Sequence, residues 1–314
     1  MSDNKRLWEA IRAAKDIDDW GERSFSWEKA YISSVFSQTA YKHIPEYELK
    51  NVDRANLIPC SSYRTAFQVG KIQDFQFSSN ESDLPLLTFS GTLLVSVVLE
   101  VNQIVFISLR GTQQLYDWFV NLQISKVKSQ LHMGCGGGGY WFHKGFYSAI
   151  VRELNKLSDT ISERFGRQNN IYTTGHSLGG ALAAILNAKV GAWRKHRCCG
   201  PSQSYGRFRH DVIGCYTFGM PRYGDLDTVV DLPGPYHVYN KEDIVPTVPP
   251  RFLGYEDCLD EFCISGSGEV LQNNRKGNTF IGFIYKLLTK QGIREHDIEL
   301  YVDRTQALSE MRIV

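Results

Sequence analysis

No stretch of this 314-residue chain stays apolar long enough to cross a bilayer. Its longest apolar runs, at 93–98 and 280–288, fall well short of the roughly 18 residues a span requires. Charge of one sign is absent too: 35 Lys and Arg stand against 34 Asp and Glu, so composition gives no case for nucleic-acid binding. Cysteine is sparse and odd in number, seven in all, and Cys198 adjoins Cys199, which makes a poor disulfide framework. Reduced thiols are expected. Cys258 and Cys263 have four residues between them rather than two, and nothing repeats the spacing of His196 and Cys198, so no metal centre is expected. The N-terminus reads Met-Ser-Asp-Asn-Lys-Arg, without an apolar h-region or a small-residue cleavage site. A cytoplasmic protein is the expectation, with leaderless export as the alternative.

What is present is ordinary for a protein with a substantial core: 42% apolar and 22% charged residues, rich in aromatics. That composition excludes a disordered chain, a collagen-like repeat and a coiled coil. No internal repeat or low-complexity linker divides the chain, so one domain over 1–314 is expected, with N-terminal helices within 1–45 packed on it. Residues 5–16 and 26–42 read as amphipathic helices, the second through Ala30, Ile32, Phe36 and Ala40. Strand-like runs at 93–101 and 104–109 flank the polar pair Asn102-Gln103 and read as a hairpin. A helix at 146–165 follows, then a β-rich run at 171–174, a helix at 181–190, and strands at 212–218 and 236–239. This alternation predicts an α/β fold whose sheet is mostly parallel after the hairpin, interrupted by long loops at 124–142 and 192–210.

The chemistry concentrates at Gly175-His176-Ser177-Leu178-Gly179. A serine hydroxyl is a weak nucleophile and must be exposed, activated and paired with an oxyanion site. A strand turning sharply into a helix exposes it, and glycines on either side relieve the crowding of that turn. Here a β-branched and aromatic run precedes the motif and Gly180-Ala181-Leu182-Ala183-Ala184 follows, small enough to pack a helix tightly on a sheet. In enzymes with this elbow the chain order is Ser, then Asp or Glu, then His. Of eight histidines only His296 lies beyond residue 237. His176 adjoins the serine, but the elbow should turn its side chain elsewhere. Asp243 follows the strand-like 236–239 and precedes Ile-Val-Pro, the strand-end loop where an orienting carboxylate belongs. Glu242 is its nearest rival; Asp225, Asp227 and Asp231 suit a turn-rich solvated loop.

At this point the chain resembles the class 3 lipase family, which includes the filamentous-fungal triacylglycerol lipases. The matching segments are Ser108-Leu109-Arg110-Gly111-Thr112, Phe142-His143-Lys144-Gly145-Phe146, the Ser177 elbow, Thr217-Phe218-Gly219-Met220-Pro221-Arg222, Asn240-Lys241-Glu242-Asp243-Ile244-Val245-Pro246, and His296 with Tyr301. They occur in family order over roughly 88–305, with a weaker match at 28–42. The resemblance implies an α/β-hydrolase fold, carboxylic-ester hydrolysis, and Ser177, Asp243 and His296 as a catalytic triad. It also implies oxyanion donors at Leu178 and Thr112, and no metal or organic cofactor.

Fungal members carry a short amphipathic lid after the oxyanion residue. Here 114–122 places Leu115, Trp118, Phe119 and Leu122 on one apolar helical face, suited to covering a site in water and meeting a lipid–water interface. An ordinary core helix has the same pattern. The glycine tract at 134–139 lacks a Gly-Lys-Ser/Thr step and reads as slack beside a gate rather than a phosphate loop. From Arg164 to His210 there is no acid, while Lys189, Arg194, Lys195, Arg197, Arg207 and Arg209 are basic; an anionic lipid surface or plain solvation would suit them. The apolar helical pattern at 280–290 reads as core or as an acyl-chain wall. The expected activity is hydrolysis of lipid acyl esters, with phospholipase A or a feruloyl-type esterase as alternatives. A catalytically silent lipase-like signalling or binding module is the alternative of another class.

Overall fold

The computed structural model describes residues 3–42, 72–75, 86–90, 94–111, 124–129, 139–166, 169–195, 208, 210–273 and 291–311. Helices α1 (Asp3–Asp16) and α2 (Trp27–Lys42) precede four strands, β1 (Ile72–Phe75), β2 (Leu86–Ser90), β3 (Val95–Val101) and β4 (Ile104–Leu109). A small ribbon of β5 (Lys126–Lys128) and β6 (Trp141–His143) then leads into α3 (Lys144–Phe165). The remainder runs β7 (Asn170–His176), α4 (Leu178–Lys195), β8 (Asp211–Phe218), α5 (Leu226–Asp231), β9 (Tyr236–Asn240), β10 (Asp260–Ile264), β11 (Val270–Gln272), α6 (Gln291–Arg294) and α7 (Ile298–Glu310).

The expected hairpin is present. Val101 pairs with Ile104, and Asn102 and Gln103 both have positive φ (50° and 63°), the backbone that a two-residue turn needs to match strand twist. From β4 onward the sheet turns parallel: its order is β1-β2-β3-β4-β7-β8-β9-β10-β11, with the pairs from β4 to β10 parallel and the outer ones antiparallel. Parallel strands covered on both faces should be apolar on both, and β4 is. Val105, Ile107 and Leu109 join the core under α3 and α4, while Phe106 faces the opposite core, built with α1, α2 and α7. In that second core Trp20 is 1% exposed and meets Phe106 and Tyr172 edge-on at 4.9 and 4.8 Å. Truncating such a plug to alanine typically costs about 3–5 kcal/mol.

Three expectations are corrected. Helix α2 is not amphipathic: it is buried on nearly every side between the sheet, α1 and α7. Its small polar residues make this tolerable, since Ser34 bonds Thr305, Ser37 bonds Thr174 and Thr39 bonds the Val35 carbonyl. The segment 124–142 is not wholly loop, because Val127 pairs with the fully buried Phe142 and closes its ends into the ribbon. Helix α4 also runs on to Lys195, and Lys189 is no surface charge. Its ammonium is buried 5.2 Å from the Tyr147 ring, and burial lowers its pKa to about 8. The expected lid residues Leu115, Trp118, Phe119 and Leu122, glycines 134 and 136–138, and the 280–290 helix lie outside the described residues. Among the described residues, no helix is long and apolar enough to cross a membrane.

Candidate active site

The parallel strands end side by side, and their ends carry the chemistry: Gly111 beyond β4, Ser177 beyond β7, Gly219 beyond β8 and Asp243 beyond β9. Ser177 occupies the single step between β7 and α4, with φ at +59°, a left-handed conformation that a non-glycine residue holds only when its surroundings enforce it. Those surroundings are identifiable. The Ser177 N–H donates to the Phe218 carbonyl at 2.9 Å, extending the β7–β8 pairing into the turn. A Cβ at Gly175 would collide with the Gly179 backbone, and one at Gly179 with the Leu109 carbonyl. The tight turn is thus built from the absence of two side chains.

His296 sits just before Asp297, the N-cap of α7, and is fully buried. Its Nδ1 lies 2.7 Å from Asp243 Oδ2. With that nitrogen donating to the carboxylate, Nε2 is the acceptor. Among the described residues neither His296 Nε2 nor the buried Ser177 Oγ has a hydrogen-bond partner, which leaves one base and one hydroxyl for each other or for a substrate. Asp243 is held from two further directions: Oδ1 accepts the Val245 N–H at 2.8 Å, and Oδ2 accepts the Tyr301 hydroxyl at 2.6 Å. Tyr301 in turn accepts the Asn240 N–H at 3.1 Å. Burial and the neighbouring carboxylate push the Tyr301 phenol well above its ordinary pKa, so it remains a donor.

Gly219 explains why no side chain intrudes here. Its φ is +52°, and a Cβ there would lie 2.7 Å from both Asp243 Oδ2 and Tyr301 Oη and 3.1 Å from His296 Nδ1. The structure therefore brings Asp243 and His296 together and sets Ser177 at the end of β7, with β8 between it and the β9 that carries Asp243. One rival is used elsewhere: Asp225 caps α5 by accepting the Thr228 N–H at 3.0 Å. Leu178 is the first residue of α4, so its N–H is one of the donors a helix start leaves without an internal partner. Thr112 lies outside the described residues. Among the described residues no group of three His, Cys, Asp or Glu side chains could hold a metal ion.

Sequence reasoning did not reach the support of Asp243. His296 and Tyr301 straddle the start of α7, so no helical spacing pairs them, and Asn240 acts through its main chain. It also missed the cluster beneath the acid loop. There buried Arg222 donates to Asp257 at 2.6 Å and to the Thr247 and Pro249 carbonyls, tying the residues after Asp243 to the end of β8.

A family model described as "Lipase (class 3)" matches residues 106–253. The lipase of Rhizomucor miehei is 25% identical over 237 residues, 72% of this chain and 61% of that protein. Secreted mono- and diacylglycerol lipase 1 of Fusarium solani is 28% identical over 168 residues, 52% of this chain and 44% of that one. The chain thus spans less than two thirds of either relative. A solved structure described as "A serine protease triad forms the catalytic centre of a triacylglycerol lipase" superposes with a TM-score of 0.51 at 21% identity, covering 87% of this chain and 94% of its own. The shared architecture is the α/β-hydrolase fold.

Proposed function

We propose that this chain, which resembles the class 3 lipases over residues 106–253, is a serine hydrolase of lipid acyl esters, working through an acyl-enzyme. The observation that carries the reading is the buried 2.7 Å contact of His296 with Asp243. Asp243 lies within the segment matched by the family model and His296 beyond it, so the contact adds a partner that the match does not contain.

In this reading Ser177 Oγ attacks the ester carbonyl while its proton passes to His296 Nε2, and Asp243 stabilises the imidazolium that forms. The tetrahedral oxyanion is met by the N–H groups of Leu178 and Thr112; removing one such donor typically costs about 2.7–4 kcal/mol of barrier. Collapse breaks the ester C–O bond, and His296 returns the proton to the departing alcohol. Water then repeats the sequence on the acyl-enzyme, giving up its proton to His296 and releasing the acid and Ser177. Each proton transfer is handled by the chain's own residues.

The test is a panel of p-nitrophenyl esters, triacylglycerols and phospholipids hydrolysed by wild type beside Ser177→Ala, with fluorophosphonate labelling of Ser177. Hydrolysis lost in the variant is the expected result, and the panel separates lipase from phospholipase A and feruloyl-type esterase. A wild type that neither hydrolyses nor labels overturns the reading in favour of a silent lipase-like module.

A further inference from the structure

The residue before the nucleophile is a second buried histidine, and the catalytic steps above do not use it. His176 is 4% exposed, and its ring lies 4.4 Å from that of His296, centroid to centroid. Its Nε2 is 2.7 Å from the His296 carbonyl oxygen. A carbonyl only accepts, so that nitrogen carries the proton and Nδ1 is a bare acceptor. The acceptor is met by the hydroxyl of Tyr41, 3.1 Å away in the last turn of α2. The same hydroxyl lies 3.3 Å from the His176 carbonyl and abuts Gly111, where a Cβ would collide with it. One phenol and one imidazole thus join α2, the nucleophile strand, the turn before Thr112 and the main chain of the base. The preceding carbonyl, that of Glu295, is gripped by Asn240 Nδ2 at 2.8 Å.

We infer that Tyr41 and His176 are positioning residues for His296: the hydroxyl fixes the His176 tautomer, and the fixed tautomer holds the base's main chain in register with Ser177. The inference rests on the serine-hydrolase reading. It differs from mere filling of space because it requires a donor at one ring position. Burial keeps His176 well below its ordinary pKa and hence neutral, which leaves the Nδ1 acceptor free for Tyr41 and places no second cation beside the imidazolium formed on His296. Misplacing a catalytic group by about 1 Å can cost on the order of 100-fold in rate, so a modest slip of the 295–296 turn is kinetically visible.

The experiment compares His176→Gln, His176→Asn, His176→Leu and Tyr41→Phe with wild type and Ser177→Ala. Turnover is referred to the sites titrated by a fluorophosphonate, and folding is followed by thermal denaturation. A glutamine amide reaches the position of imidazole Nε2, whereas the shorter asparagine amide reaches only that of Nδ1. His176→Leu and His176→Asn should lose roughly 10- to 100-fold in kcat with KM little changed, and Tyr41→Phe about 10-fold or less. His176→Gln should recover most of the loss. The positioning role is overturned if glutamine is as poor as leucine, if leucine keeps wild-type kcat per titrated site, or if KM rather than kcat moves. A wild type without Ser177-dependent turnover overturns the hydrolase reading instead, and this inference with it.

Discussion

His237 and Glu261 form a second buried imidazole–carboxylate pair, 3.0 Å from Nδ1 to Oε1, beside the 2.7 Å pair of His296 and Asp243. What separates them is the other ring nitrogen. Nε2 of His237 accepts the Met220 N–H at 3.2 Å, so that imidazole is spent on holding the turn after Gly219. Nε2 of His296 accepts nothing from the described residues. A free acceptor, rather than the carboxylate contact, distinguishes a base from a brace.

The first expected outcome follows from this difference. His237→Ala should destabilise the protein by about 1.5–3 kcal/mol, because the buried Glu261 carboxylate would lose the Nδ1–H that donates to it. Turnover per titrated Ser177 should persist in the fraction that folds. Chemical denaturation read beside active-site titration checks both halves; a fall in kcat matching that of His296→Ala would contradict the assignment.

Ser177→Ala, His296→Ala and Asp243→Asn should each remove most of the activity, and the losses should not add, since the three act as a unit. Double variants measured against singles provide the check. A His296→Ala enzyme with near-wild-type turnover would remove the proposed base.

Acid should destabilise the fold through His176. Its folded pKa is depressed below the ordinary value of 6.5 by burial first and by His296 second, so the unfolded chain binds the extra proton in the window below 6.5. Stability from this group is therefore fully present above pH 6.5 and drains away as pH falls towards the folded value. The melting temperature of wild type should drop relative to His176→Gln between pH 6.5 and 4.5. Parallel melting curves across that range would show that His176 titrates normally.

Trp118→Ala should lower activity on emulsified long-chain esters more than on soluble short-chain ones, if the apolar stripe at 114–122 serves as a lid that opens at an interface. Equal loss on both substrates would make Trp118 a core residue.

Much of this arrangement was readable from residues alone, and the reasons are local. The turn at Asn102-Gln103, the glycines around Ser177, and Asp243 at a strand end each announce themselves within a few positions. The supports were silent because they cross the chain. Nothing near Tyr301 says that its hydroxyl will meet Asp243, and nothing in Tyr41 points to His176. Helix α2 misled for a related reason: its serines and threonine look like a wet face, yet Ser34 and Ser37 find distant hydroxyl partners in the interior and Thr39 turns back onto its own helix. Lys189 misled because a long aliphatic stem can carry its ammonium inward to an aromatic ring.

The pairing of α2 with α7 also has a temporal side. Gln38 bonds Glu299 across 261 positions at 2.5 Å, and Ser34 bonds Thr305 across 271 at 3.0 Å. His296 stands at the head of α7, so the base reaches its station only after residues 261 and 271 positions apart have closed on each other. Such distant closures are late and slow events. A refolding sample should regain its helical circular dichroism before it regains fluorophosphonate reactivity, and the lag would time the docking of the final helix. Newly made chains would then pass through a stage in which the nucleophile is already built but chemically idle.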